Sequence, residues 1–226
     1  MPAVDDRPIV AAFDVDGTLT TRDCVVPFLR RTVGVRGAVV ALARRPLMLL
    51  KAAAARNRDA IKALAVAGFA GRDADDVTRQ GEDFAEAVEH SWLRPDSSAR
   101  LAWHLTEGHE VVLVSASLEA YLVPLGRRLG VTAVLGTILE VDGFGRLTGR
   151  LGGANCRGAE KVRRLDEWLS GRDVELWAYG DSVGDRELLA RADHPHLIKG
   201  VVIDAVPPRS SSIGPENASA GGDGAR

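Results

Sequence analysis

A continuous run of five apolar residues near the start of the chain, Ile9–Phe13, constrains the fold most strongly. Such a short, uninterrupted apolar run is typical of a strand buried on both faces, as in a parallel sheet covered by helices. The sequence "DVDG" follows directly. Because side chains at i and i+2 of an extended chain point the same way, the carboxyl groups of Asp14 and Asp16 should project together.

Strand-like and helix-like stretches alternate from Pro95 onward. "EVVLVSAS" and "VELWAYGD" are predicted strands, and "FGRLTGRLGG" is interpreted as one arm of a hairpin. "GAEKVRRLDEWLSG" and "VGDRELLARAD" are predicted helices, as is "DSSARLAWHLTEG", with capping residues in front and Gly108 behind. This alternation predicts an α/β fold, with a Rossmann-like parallel sheet and helices on both faces.

The stretch from Val25 to Trp92 lacks strand-like runs and shows apolar residues at helical spacing, such as Val77, Phe84, Val88 and Trp92. Pro46 should divide part of it into two helices. We therefore predict an α/β core formed by residues 1–22 and 95–206, with an inserted all-helical cap at 23–94. Residues 207–226, rich in Gly, Ser, Pro and Ala, are predicted to be a disordered tail.

Composition narrows the classes of function. The net charge of −2 and the lack of a basic stripe give no reason to expect a nucleic-acid partner. The most apolar window contains Arg44, Arg45, Pro46 and Lys51, so we expect no membrane insertion. Two cysteines in no metal-binding spacing are expected to be free thiols, and no signal peptide is recognisable. These features predict a cytoplasmic protein, whose oligomeric state stays open.

Polar residues also follow or flank later elements of the predicted sheet. Ser115 closes "VVLVSAS", Lys161 opens a helix, and Asp181 and Asp185 lie in "GDSVGD". Taken singly, Ser115 is more typical of a turn, Lys161 of a solvated charge, and the aspartates of helix caps. If the strands are parallel, however, these residues join Asp14 at one edge of the sheet, where the carboxylates would repel one another.

A bound Mg²⁺ would relieve that repulsion, because it prefers a few carboxylates, waters and a phosphate oxygen. A phosphate group would in turn explain the serine and the lysine. Asp14 is then a candidate nucleophile that needs no activating base, and Asp16 a candidate for proton transfer. Repulsion between Asp14 and the phosphate would be reduced by Mg²⁺ and Lys161.

Four ordered segments, "FDVDGTLT", "VSAS", "GAEKV" and "YGDSVGDREL", resemble the motifs of the haloacid-dehalogenase-like phosphatase superfamily. The helical block between the first two resembles the cap of its phosphoserine-phosphatase-like branch, subfamily IB. The resemblance spans roughly residues 8 to 198 and implies a Mg²⁺-dependent phosphomonoesterase that forms an aspartyl-phosphate. An inactive binding or regulatory protein of the same fold is the alternative.

The resemblance implies a role for each motif residue. Asp14 would be the nucleophile and a Mg²⁺ ligand. Asp16 would protonate the leaving alcohol and then deprotonate the attacking water, and its backbone carbonyl would bind the metal. Ser115 and the N–H group of Ala116 would hold the phosphoryl oxygens.

The remaining motif residues would complete this arrangement. Lys161 would bridge the nucleophile and the phosphate, Asp181 would bind Mg²⁺, and Asp185 would support the metal site. Asp23, just inside the cap, is a candidate for contact with the substrate.

Two departures from the family pattern bear on the substrate and the fold. Ala116 stands where phosphoserine phosphatases often have glycine, and the segment after Asp193 lacks the common asparagine–proline pattern, which suggests an altered last strand. The predicted substrate is a small phosphorylated metabolite, with phosphoserine, histidinol phosphate and a lipid phosphate as candidates. A signalling receiver domain is disfavoured by the large helical insert and by "GDSVGD".

Overall fold

A computed structural model describes residues 7–34, 62 and 65–207, and a parallel five-stranded sheet forms its centre. The strands are β1 (Ile9–Phe13), β2 (Glu110–Leu118), β3 (Ala133–Thr137), β4 (Leu139–Val141), β5 (Leu147–Leu151), β6 (Glu175–Gly180) and β7 (His194–Leu197). The main sheet has the order β3-β2-β1-β6-β7, with every neighbouring pair parallel. This confirms the predicted α/β fold.

Six α-helices flank the strands in the described part of the chain. They are α1 (Val25–Thr32), α2 (Ala74–Ser91), α3 (Pro95–Thr106), α4 (Glu119–Leu129), α5 (Ala159–Leu169) and α6 (Arg186–Arg191), with short 3-10 helices at Ala67–Phe69 and Val183–Asp185. None of the described helices has the length and apolar character needed to cross a membrane.

The central strand β1 is buried on both faces, as its apolar run predicted. Ala11 and Phe13 belong to the larger apolar core, which includes residues of α1, α2 and α4. Val10 and Ala12 belong to a second core on the opposite face, beneath α5 and α6. The alternation of side chains along one strand thus divides the interior into two layers, and it leaves the end of β1 as the place where a polar site can open.

The described part of the insert is helical. Val77, Phe84 and Val88 are buried along α2, and Trp92 packs against the same core. Pro46 lies outside the described residues, as does most of the stretch from 35 to 64. The division into core and cap therefore stays a prediction, and so does the tail, of which residues 208–226 lie outside the described part.

The structure tests two expectations from the sequence, one about the hairpin and one about the last strand. β4 and β5 pair antiparallel, which confirms the predicted hairpin arm. The segment after Asp193 does form a strand, because β7 pairs with β6 through its backbone from His194 to Leu197. The missing asparagine–proline pattern therefore does not prevent the pairing, because backbone hydrogen bonds do not need it.

The start of α3 also differs from the expectation. The helix begins at Pro95, with Arg94 as its N-cap residue and without a side-chain cap, rather than behind the hydroxyl residues of "DSS". Proline suits the first helical position because its fixed φ matches the helix and its missing N–H would lack a partner anyway. Asp96 is instead paired with Arg94 at 2.8 Å and accepts the backbone N–H of Ile203.

Candidate active site at the carboxyl edge of the sheet

Asp14 lies directly after β1 at the carboxyl edge of the sheet. Its backbone N–H donates to the carbonyl of Tyr179 in β6 at 2.9 Å, so β1 and β6 hold the residue between them. Its side chain is buried, with 6% of the residue exposed. The carboxylate therefore has a fixed position, at the strand ends where ligands bind in open α/β sheets.

The loop after β1 passes close to Asp181, which follows β6. Gly17 has φ +82, and a Cβ atom there would lie 2.5 Å from Oδ2 of Asp181. Only glycine tolerates both the left-handed backbone and this contact. The glycine of "DVDGT" thus brings the loop against a second carboxylate.

Lys161 joins the two halves of the site. It lies in the first turn of α5 and is 1% exposed. Its Nζ donates to Oδ1 of Asp14 at 2.6 Å and to Oδ1 of Asp185 at 2.5 Å. Burial alone would lower the pKa of Lys161, but the charges of Asp14 and Asp185 outweigh that effect and raise it. Lys161 is therefore a buried cation paired with two carboxylates.

Asp185 has both of its carboxylate oxygens engaged. Oδ1 accepts from Lys161, and Oδ2 accepts from the backbone N–H of Ser182 at 3.0 Å and its hydroxyl at 2.8 Å. Burial would raise the pKa of Asp185, but Lys161 and the Ser182 bonds lower it overall. Asp185 thus fixes both the lysine and the turn that follows Asp181.

The three carboxylates of Asp14, Asp181 and Asp185 each offer an oxygen within 4.8 Å of the others. Burial and neighbouring carboxylates raise the pKa of Asp14, against the opposing charge of Lys161, and they raise the pKa of Asp181 in the same way. A bound cation would offset the repulsion among these carboxylates, and all three ligand groups offer carboxylate oxygens. These residues therefore fit a hard divalent cation such as Mg²⁺.

Asp16 points toward the same cavity but is held by a different set of groups. Its Oδ1 accepts the backbone N–H of Cys24 at 2.9 Å, and its Oδ2 accepts the hydroxyl of Ser117 at 2.8 Å. Burial, together with the charges of Asp23 and Asp14, raises the pKa of Asp16 to about 7. A carboxyl group with a pKa near neutrality suits general acid–base chemistry.

The segment at the end of β2 forms the opposite wall. Ser115 is 1% exposed, and its hydroxyl accepts the backbone N–H of Ser117 at 3.2 Å. Ala116 also lines the cavity, and its carbonyl accepts the hydroxyl of Thr137 and the Nζ of Lys62. Asp23 is exposed at the rim, and its Oδ1 caps the backbone N–H of Val26 at 3.0 Å. The structure thus brings every residue of the sequence prediction to one cavity.

That cavity has a volume of about 500 Å³. Its floor is polar, whereas Val25, Val26, Leu29 and Ala65 of the insert form an apolar wall. Asn155 and Arg157, from the loop before Lys161, also line it. The site can therefore hold a phosphate-sized group at its floor and a larger organic group against the wall.

Several lining residues were missed by sequence reasoning. Lys62 crosses from the insert to Asn155, with its Nζ 2.7 Å from the amide oxygen, and no local pattern marks it. Arg157 lies over Gly184, a contact that follows only from the fold. Ser117 supports the site by donating to Asp16 rather than by lining the cavity. It could have been found, because it stands two residues after Ser115, the same spacing that aligned Asp14 with Asp16.

Comparison with known proteins agrees with this geometry. The model of the haloacid dehalogenase-like hydrolase family matches residues 11–190. Protein CicA of Caulobacter vibrioides is 41% identical over 189 residues, which cover 83% of this chain and 84% of CicA. Phosphoserine phosphatase SerB1 of Mycobacterium tuberculosis is 28% identical over 197 residues, 82% of this chain and 63% of SerB1.

Among solved structures, a protein of unknown function from Bordetella pertussis Tohama I superposes with a TM-score of 0.66. It is 26% identical in sequence, and the match covers 81% of this chain and 86% of that protein. The sheet order and the edge that carries Asp14 thus belong to an architecture seen in experimental structures.

Proposed function

The chain belongs to the haloacid dehalogenase-like hydrolase family, and from that premise we propose that this phosphatase hydrolyses small phosphomonoesters through an aspartyl-phosphate on Asp14. The observation that carries the proposal is the contact of one buried lysine, Lys161, with both Asp14 and Asp185 beside Asp181. A buried cation at a cluster of carboxylates is suited to binding a phosphate dianion next to a nucleophile.

In the first step, a carboxylate oxygen of Asp14 attacks phosphorus. The new bond joins that oxygen to phosphorus, while the bond from phosphorus to the substrate alcohol breaks. Asp16 gives its proton to the departing alcohol oxygen. Ser115 and the backbone N–H of Ala116 are proposed to hold the phosphoryl oxygens, and Lys161 to offset their charge.

In the second step, a water molecule attacks the phosphorus of the aspartyl-phosphate. Asp16, now ionised, takes a proton from that water, and the bond between phosphorus and Asp14 breaks to release phosphate. The enzyme returns to its starting protonation state. The same carboxyl group therefore acts as acid and then as base, a role compatible with its raised pKa.

Mg²⁺ is the proposed cofactor, held by Asp14, Asp181 and the backbone carbonyl of Asp16, with Asp185 in support. When bound, it would offset the negative charge of the carboxylates and the phosphate. The raised pKa values of Asp14 and Asp181 support this assignment, because burial and neighbouring carboxylates disfavour their charged forms and a bound cation would offset that effect.

The proposed substrate class is a small phosphorylated metabolite, with phosphoserine, histidinol phosphate and a lipid phosphate as candidates. The apolar wall from the insert supports a leaving group with a nonpolar portion. We place selectivity in the cap proposed for residues 23–94, because the core residues of the site all address the phosphoryl group. The cytoplasm is the proposed compartment, which the free thiols of Cys24 and Cys156 support.

The test is a hydrolysis screen over a panel of phosphomonoesters with Mg²⁺, run in parallel with Asp14→Asn. This change removes the nucleophile and keeps the size of the side chain, so turnover should be lost while the folded state persists by circular dichroism. The proposal would be contradicted if the parent released phosphate from no ester of the panel, including a generic aryl phosphate. Equal release by the variant would do the same.

A further inference from the structure

We propose that Tyr121 and Ser117 form a positioning chain that sets the orientation of Asp16 for proton transfer. The inference rests on the proposed function, because it assigns a support to the residue that exchanges the proton there. Neither Tyr121 nor Ser117 faces the phosphoryl group in that mechanism. Both act through Asp16.

The positioning chain consists of two consecutive hydrogen bonds. The hydroxyl of Tyr121 donates to Oγ of Ser117 at 2.8 Å, and the hydroxyl of Ser117 donates to Oδ2 of Asp16 at 2.8 Å. On the other side, the backbone N–H of Cys24 donates to Oδ1 of Asp16 at 2.9 Å. Tyr121, Ser117 and Cys24 are each 0% exposed.

These donors fix the plane of the Asp16 carboxyl group. Each oxygen has one donor, so rotation about the bond to the carboxyl carbon would break both hydrogen bonds at once. A group that transfers a proton must lie within about 2.6–3.2 Å of its partner at the moment of reaction. Holding the carboxyl beforehand removes the cost of ordering it during each turnover.

Tyr121 determines the donor-to-acceptor direction of the hydrogen bonds in the positioning chain. A serine hydroxyl rotates freely and can either donate or accept. Because Tyr121 donates to Ser117, it occupies an acceptor position of that oxygen and leaves the serine hydrogen for Asp16. Hydrogen bonds in such a series polarise and strengthen one another in a buried site.

The insert in turn holds the Tyr121 ring. The ring centroid lies 4.8 Å from that of Phe28 in α1 and 5.2 Å from that of Phe84 in α2. Two helices of the insert thus pack on Tyr121, the first residue of the positioning chain. This contact connects the position of the insert to the orientation of Asp16, through atoms that never touch the substrate.

The experiment compares the parent with Tyr121→Phe, which removes one oxygen and keeps the packed ring. With an alkyl phosphate, whose alcohol leaves poorly, we expect kcat to fall about threefold to tenfold, the range of one lost hydrogen bond. KM should stay within about twofold, since the phosphoryl contacts are intact. With an aryl phosphate, the rate of the pre-steady-state burst should not change, because that leaving group needs little protonation.

A double-mutant cycle tests the route of the effect. In an Asp16→Asn background, Tyr121→Phe should have no further effect on kcat, because no proton remains to be positioned. Ser117→Ala should lower kcat for the alkyl ester at least as much as Tyr121→Phe. Thr106→Val is the control: its hydroxyl donates to the carbonyl of Ala102 within α3 at 2.9 Å and Thr106 does not line the cavity, so kcat should be unchanged.

The inference is overturned if Tyr121→Phe leaves kcat for the alkyl ester unchanged, or lowers both ester types equally in the phosphoryl-transfer step. The same holds if the full effect persists in the Asp16→Asn background. A parent that hydrolyses neither ester would instead refute the proposed function, and the inference with it, so the two failures are distinguishable.

Discussion

At the scale of single residues, the contact between Gly17 and Asp181 carries a testable consequence. In Gly17→Ala, the new Cβ atom would lie 2.5 Å from Oδ2 and 2.9 Å from Cγ of Asp181, so that carboxylate must move. The positive φ adds a strain of about 1–2 kcal/mol. We expect a lower melting temperature, a lower kcat, and a higher Mg²⁺ concentration for half-maximal activity, measured by titrating Mg²⁺ at saturating aryl phosphate.

Gly108→Ala separates the two causes. Gly108 has φ +78, and a Cβ atom there would meet nothing within 4 Å, so the variant has the strain without the displacement. It should lose stability and keep the Mg²⁺ dependence of the parent. If the two variants showed the same Mg²⁺ dependence, Asp181 would not be placed by the loop that contains Gly17.

At the scale of the elements, α2 and α4 pack so closely that one position admits only glycine. A Cβ atom on Gly81 would lie 1.8 Å from the carbonyl oxygen of Ala120. Alanine would favour the helix by about 1 kcal/mol, but overpacking of this kind typically costs about 1–3 kcal/mol. We therefore expect Gly81→Ala to be destabilised on balance, measured by the free energy of unfolding in urea.

The control for this variant is Gly143→Ala in the hairpin turn, where a Cβ atom meets nothing within 4 Å. It should change the free energy of unfolding by less than about 0.5 kcal/mol, as is usual at the surface. A Gly81→Ala variant as stable as the parent would mean that α2 can move away from α4 without loss.

The elements could be predicted to different degrees from sequence. β1 and the end of β2 were predictable, because apolar runs that end in Asp14 or Ser115 mark buried strands. The proximity of Asp14 and Ser115 was also predictable, since parallel strands end at the same edge of the sheet. Lys62 and Arg157 were not predictable, because their reach into the cavity depends on tertiary packing. The form of β7 stayed open from the sequence, because its pairing depends on the backbone rather than on side-chain motifs.

At the scale of the whole molecule, a buried histidine of α3 makes stability depend on pH. His104 is 0% exposed, with Nε2 2.9 Å from the hydroxyl of Tyr179 and Nδ1 2.8 Å from Nδ1 of His109. Burial, with the charges of His109, Arg100 and His196, lowers the pKa of His104 to about 3. The folded protein therefore keeps His104 neutral over most of the acidic range.

The sign of the effect follows from the unfolded chain, where a histidine takes up its proton near pH 6.5. Above that pH the contribution of His104 to stability is complete. As the pH falls from about 6.5 toward 3, the unfolded state binds a proton that the folded state does not, so stability declines. The decline should reach about 1.4 kcal/mol per pH unit for this group.

Urea unfolding between pH 8 and about pH 5 measures this slope. His104→Gln should be less stable than the parent at pH 8 but should show a shallower decline toward acid. His90→Gln, at an exposed position of α2, is the matched control and should keep the slope of the parent. An unchanged slope in His104→Gln would show that other groups set the pH dependence.

The central claim, that Asp14 forms a covalent bond to phosphorus, is tested most directly by trapping the intermediate. The enzyme would be mixed with ³²P-labelled aryl phosphate and Mg²⁺ and quenched in acid within the first turnover, and ³²P bound to the precipitated protein would be counted. A parallel sample with unlabelled substrate would be reduced with tritiated borohydride, which releases the phosphate and leaves tritium on the reduced side chain, and the tritiated peptide would be sequenced after digestion. The proposed mechanism predicts an acyl-phosphate at Asp14, found as homoserine at that position and absent in Asp14→Asn. Label on another residue, or turnover with inversion of configuration at phosphorus and no trapped label, would contradict it.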